Sequence, residues 1–200
     1  MIATRDRILA AAKTEFALHG YGGGRIERIT TSARVNLRMI YHYFGDKEGL
    51  YLAVMESAYQ EVRKKESQLH LDDREPEDGM RALVEFTFDH FLRHPEFVAL
   101  LTSENLRKAA TIRGSNIVPD LAVPIMELVR KLLKRGTRAG KFRAGIDAVQ
   151  LFVTLHAVCY LHISNKYTMS AMLRFNMGDR KWLAKRRKHV TDVIMRYLMK

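Results

Sequence analysis

The sequence predicts an all-α protein, and three observations lead there. Apolar residues recur at three- and four-residue steps along most of the 200 positions. No stretch alternates β-branched and polar residues between turn signals, as half-buried strands do. The breakers fall at joints, in the glycine-rich run 20–24 and in the acidic segment 71–79. No internal repeat is visible. Two hundred residues, 47% hydrophobic and 28% charged, make one large or two small globular domains with a real core.

Each element then has its own signal. From Arg5, the residues Ile8, Leu9, Ala12 and Phe16 form one stripe, with Thr4 as cap and Gly20 as terminator. Gly22-Gly23-Gly24 is a flexible entry to a short helix from Arg25 to about Ser32. A third helix is expected from Leu37 to Phe44, with Asn36 as N-cap. Asp46 then caps a long helix to about Leu69, whose buried side is Leu50, Ala53, Val54, Ala58 and Val62. Residues 71–79 read as a loop, and further helices are expected at about 79–93, 96–109, 120–139, 146–164 and 180–198.

Charge narrows the partners without locating them. The chain has 34 Lys+Arg against 22 Asp+Glu, a formal +12. Residues 1–47 carry net +4, 48–80 net −5, 121–145 net +6 and 146–200 net +7. Such a balance suits nucleic acid, an anionic surface or acidic proteins alike. The single cysteine, Cys159, excludes an internal disulfide framework and any Cys-rich zinc module. Charge among the first six residues and the lack of an apolar leader point to a cytoplasmic protein.

Three short helices in under fifty residues, the last two joined by a tight turn, fit a helix-turn-helix unit. In Leu37-Arg38-Met39-Ile40-Tyr41-His42-Tyr43-Phe44, Ile40 and Phe44 are four apart and face inward, with Val35 anchoring the turn. Leu37, Arg38, Met39, Tyr41 and His42 are left for base edges in the major groove. Lys47 opens the next helix, where its amine and free backbone N–H groups can meet a phosphate. Aromatic residues at this spacing are also common packing residues. The turn, the caps and Lys47 together favour double-stranded DNA.

These residues resemble the TetR family of bacterial regulators. The resemblance rests on Phe16-x-x-x-Gly20-Tyr21, on Ile29 with Ala33-x-Val35, and on Ile40-Tyr41-x-Tyr43-Phe44-x-x-Lys47-Glu48-x-Leu50. It implies a DNA-binding domain at 1–47 and an effector-binding and dimerisation domain at 48–200. His94-Pro95-Glu96-Phe97, Glu104-Asn105-Leu106 and Asn165-Lys166-Tyr167-Thr168 resemble one subgroup of the family's ligand domains. Tyr41, Tyr43 and Lys47 fall at positions that contact or order phosphates, and Asn36, Leu37, Arg38, Met39 and His42 on the face that selects sequence. The implied function is a repressor that binds a palindromic operator as a dimer and is released by a small molecule. Four positions depart from the family pattern and imply a divergent operator. Gly24 stands where Ser or Thr caps the second helix, Arg34 replaces the turn glycine, Thr30 replaces Ala, and Asn36 replaces a capping Ser or Thr.

In the second part, the helix from Ile146 to Ser164 is apolar nearly all round and must be covered on two sides. Asp147, Gln150, His156 and His162 argue against a membrane span. The last helix carries Trp182/Leu183, Val190, Val193/Ile194 and Tyr197/Leu198 at packing spacing. Homodimerisation through these two helices is expected, with an effector cavity on the other side. Its walls are expected to be Phe88 and Phe91 from one helix, Leu101 and Asn105 from another, and His156, Cys159 and Tyr160 from a third. The spacing His156-x-x-Cys159-x-x-His162 allows a metal or haem, but buried polar groups lining a pocket explain it more simply. No metal, other cofactor or catalytic residue is expected: GxSxG, HExxH, a P-loop and paired-Cys motifs are missing from the sequence. A rival reading is a basic helical protein using Lys185-Arg186-Arg187-Lys188 on nucleic acid or anionic lipid without sequence preference.

Overall fold

The computed structural model describes residues 3–200. Among these, the elements are α-helices with two short 3-10 turns and one isolated antiparallel bridge, Phe142 with Met199. Two compact units emerge, one containing the chain up to Glu61 and Pro95–Asp120, the other Val62–His94 and Leu121–Lys200. Residues 95–120, placed by sequence in the second domain, therefore cluster with the N-terminal helices.

In the first unit, α1 (Thr4–Gly23) buries Ile8, Ala12 and Phe16. Gly20 interrupts it with φ 64°, a left-handed conformation that glycine reaches at little cost, so the expected terminator becomes a kink followed by one more turn. Helix α2 (Ile26–Ala33) and α3 (Leu37–Phe44) fall within a residue of their expected positions. Helix α4 (Lys47–Ser67) starts in this unit and runs into the second. Helix α6 (Pro95–Leu106) packs on α1, and α1 also packs on α2. Their shared core includes Phe16, Ile29, Ile40, Leu50 and Tyr51. Full burial of side chains this size contributes roughly 2–3 kcal/mol each.

The chain leaves α6 sharply. Lys108 and Ala109 both take positive φ, 56° and 59°, which costs non-glycine residues roughly 1–2 kcal/mol apiece. The buried Glu104 carboxylate compensates by accepting the backbone N–H groups of Thr111 (2.7 Å) and Ile112 (3.0 Å).

The second unit is built on α5 (Pro76–Arg93), which packs against α8 (Ala148–Ser164) and α10 (Arg180–Leu198). Proline at the first position of α5 starts that helix three residues before the expected start, because proline needs no N–H partner there. Helix α7 (Ile117–Arg138) begins before the expected residue 120 and tolerates Pro124 in its second turn. Helix α8 buries Leu151, Leu155, Cys159 and His162 on one side. Val149, Val153 and Leu161 remain exposed on the other, so this apolar helix is covered on one side only within a single chain. On α10, Val190, Ile194 and Leu198 face inward while Val193 and Tyr197 are exposed. Helix α9 (Lys166–Leu173) was not expected from sequence. It buries none of its residues, Tyr167 being 79% exposed, so it leaves no one-sided stripe to read. Among the described residues, no helix is long and apolar enough to cross a membrane.

Candidate nucleic-acid interface

A helix can read DNA only if one side is held and the other is bare. Ile40 anchors α3, completely buried, and Phe44 is half-buried under the guanidinium of Arg5, 5.4 Å from its ring centre. The turn that delivers α3 closes through Arg34, whose φ of 54° is left-handed, and through the Val35 N–H donating to Thr30 (3.0 Å). Arginine therefore does what the expected glycine would do, at a conformational cost. The Asn36 side chain accepts the Met39 N–H at 3.1 Å and caps α3 as predicted.

The opposite side of α3 is open. Asn36, Leu37, Arg38, Tyr41, His42 and Tyr43 are exposed, Tyr41 by 52%, while Met39 is half-buried. The structure thus brings the predicted base-reading residues onto one bare surface, with Met39 at its edge. Lys47 starts α4 beside it, partly covered, its ammonium 4.7 Å from the centre of the Tyr21 ring. Partial burial, and then the charges of Arg25 and Arg107, hold this amine below the usual lysine range. A phosphate oxygen would reverse that penalty.

Two features were missed by sequence reasoning. The first is Glu15, 8% exposed on α1. Its carboxylate accepts the Arg25 N–H (2.9 Å) and the Arg28 Nε–H (2.8 Å), fixing the start of α2. Hydrogen bonding from Arg28 is the main reason this carboxyl sits below its usual range. A lone acid inside an apolar stripe was the available signal. The second is Gly49. A side chain there would place its Cβ 2.1 Å from the Phe44 carbonyl oxygen, so only glycine lets α4 start this close to the end of α3. The Asp46 carboxylate accepts the Gly49 N–H at 2.8 Å, as its expected capping role requires.

The residue at the N-cap of α2 is Arg25, not Gly24. Gly24 lies against Phe16, whose ring would come within 2.6 Å of an added Cβ, so close packing is its physical role.

The residues expected to line an effector pocket divide between the units. Leu101 and Asn105 lie on α6 in the first, where the Asn105 amide donates to the Leu101 carbonyl. Phe88, Phe91, His156, Cys159 and Tyr160 lie in the second. Phe91 meets the rings of Tyr160 (5.4 Å) and His156 (6.0 Å) edge-on. Burial pushes the His156 imidazole down to about 4 and the Cys159 thiol up to about 12. His156 Nδ1 lies 2.9 Å from the Phe152 carbonyl, Cys159 Sγ 3.8 Å from that of Val84, and His162 stacks on Phe88 at 4.9 Å. The three residues that suggested a metal triad thus engage different partners, and no group of three potential ligands forms among the described residues. A cavity of about 460 Å³ opens elsewhere in this unit, lined by Arg63, Glu66, His70, Pro124, Leu128 and Lys131 among others. Burial lifts its Glu66 carboxyl to about 7 despite the neighbouring Arg63.

The C-terminal basic cluster is partly committed. Arg187 donates to Asp89 (2.9 Å) and Glu85 (3.2 Å) of α5, and Arg186 is half-buried. Lys185 and Lys188 remain exposed.

A short helix held by one buried face, delivered by a capped tight turn and backed by a lysine at the next helix start, defines a helix-turn-helix transcriptional regulator. Residues 8–54 match the bacterial regulatory proteins of the tetR family, and residues 76–194 the tetracyclin repressor-like C-terminal domain. The chain belongs to the TetR family. It is 37% identical to the HTH-type transcriptional repressor NicS of Pseudomonas putida over 195 residues, 98% of this chain and 92% of the relative. It is 36% identical to the repressor SCO4008 of Streptomyces coelicolor over 158 residues, 78% of this chain and 76% of that one. Among solved structures, SCO4942 of Streptomyces coelicolor superposes with a TM-score of 0.74 at 26% identity, covering 98% of each chain. The ketosteroid regulator KstR2 of Mycobacterium tuberculosis shares the fold, with a TM-score of 0.73 at 16% identity over 100% of this chain and 97% of that one.

Proposed function

We propose that this regulator is a cytoplasmic repressor that grips a palindromic operator as a homodimer and releases it on binding a small molecule. The observation that carries the reading is the bare face of α3, Asn36 to Tyr43, beside Lys47. The names of the curated repressors add support for the direction of control. The exposed apolar stripe Val149, Val153 and Leu161 on α8, with Val193 and Tyr197 on α10, supplies the dimer surface. Dimerisation lets two copies of α3 reach half-sites about one turn of DNA apart. The effector binds in the second unit, against the aromatic group of Phe88, Phe91, His156 and Tyr160 beside Cys159. Release requires the effector to favour one dimer conformation over the other. No catalytic step or cofactor enters this reading.

Selection of bound sites from random DNA with the purified protein tests it. A two-fold symmetric site, whose complex is dissolved by some member of a small-molecule panel, is expected. Binding without sequence preference that survives removal of residues 1–47 would instead favour a non-specific basic protein.

A further inference from the structure

A cation sits where the first unit has least reason to bury one. Arg107 follows the last residue of α6, and its N–H donates to the Ser103 carbonyl at 3.2 Å. Its guanidinium carbon lies 3.6 Å from the centre of the Tyr21 ring and 5.4 Å from that of Tyr51. It also pairs with Glu48 at 3.8 Å. The side chain is 24% exposed, and its Nη1 is buried with no hydrogen-bond partner among the described residues. An arginine so covered, with an unsatisfied donor, is costly unless its position serves something else.

What it touches is the setting of Lys47. Tyr21 carries Arg107 and the Lys47 ammonium on one ring, at 3.6 and 4.7 Å. Glu48 is the next residue along α4. The Tyr21 backbone N–H donates to Ser103, one turn before Arg107 on α6, at 3.4 Å. The end of α6 therefore holds the end of α1 and the first turn of α4 together. Its own exit is pinned by Glu104 through Thr111 and Ile112. The guanidinium also repels the lysine ammonium, which favours an anion arriving at Lys47.

We propose that Arg107 is a positioning residue for operator binding: through Tyr21 and Glu48 it holds the first turn of α4 so that Lys47 meets a DNA phosphate. Its guanidinium makes no phosphate contact of its own. The assignment rests on the DNA-binding reading given above.

A double-mutant cycle on the selected operator tests it. Arg107→Met, which keeps the stem without charge or plane, is expected to weaken binding about tenfold in the wild-type background and less than about twofold in Lys47→Ala. The slope of log affinity against log salt should fall by about one in the first background and stay unchanged in the second. Arg107→Lys keeps the charge but not the planar contact and is expected to lose about threefold. Additive losses, or a slope that falls in both backgrounds, would show a direct phosphate contact and overturn the proposal. Full affinity in either Arg107 variant would overturn it too. Failure of the wild-type protein to select any site would overturn the DNA-binding reading along with it.

Discussion

The polar face of α3 and the apolar stripe of α8 differ in kind, although both lie bare on a single chain. Beside the exposed Leu37, α3 and its cap present Asn36, Arg38, Tyr41, His42 and Tyr43, each with a donor or acceptor at its tip. The stripe of α8 is Val149, Val153 and Leu161, which offer none, with Gln150 and Thr154 exposed at its side. A surface that must read base edges needs polar tips on stiff, packed stems. A surface that meets a copy of itself needs only matching apolar shape. The comparison also shows why total charge is a weak guide. The large surplus lies beyond residue 120, where Arg187 is already engaged with Asp89 and Glu85.

The largest expected effect breaks the apolar side. Val153→Asp places a carboxylate in both halves of a two-fold interface, and dimer affinity should fall by about 100-fold or more. Sedimentation equilibrium would show it, and a variant that remained dimeric would remove α8 from the interface. On the polar side, Lys47→Ala should weaken operator binding roughly tenfold, and Tyr41→Phe less, each evenly across sequences. Fluorescence anisotropy over a salt series measures both.

The scaffold beneath α3 gives the next effect. Glu15→Gln removes the charge that anchors Arg25 and Arg28, and should cost about 1–3 kcal/mol of stability. Because Arg28 depresses the Glu15 carboxyl in the folded state, its contribution is present above the usual 4.5 and is lost as pH falls through the lower folded value. Chemical denaturation at neutral and acidic pH should show the difference between variant and wild type shrinking with acidity. A difference that stayed constant would remove the ionised carboxylate from this role. The smallest effect is at the turn. Arg34→Gly relieves a left-handed arginine and should stabilise the fold by about 0.5–1 kcal/mol, partly offset by a freer unfolded chain. A lower melting temperature would mean that the arginine side chain contributes more than its backbone costs.

Local signals made most of the first sixty residues legible. Asn36 and Asp46 cap where short polar side chains before apolar runs should cap, and Ile40 is buried where periodicity places it. Contacts between distant segments were not legible. Nothing in the sequence of α6 announces that it packs on α1. For the same reason Gly49 and Arg107 escaped notice, since their meaning lies in Phe44 and Tyr21. Helix α9 escaped because an exposed helix carries no burial pattern.

The central claim is that α3 selects the DNA sequence, and site selection with wild type and Arg38→Ala side by side tests it most directly. The expected result is two related palindromic sites that differ in base preference at one symmetric pair of positions, with weaker binding by the variant. Identical sites bound with identical affinity would contradict it.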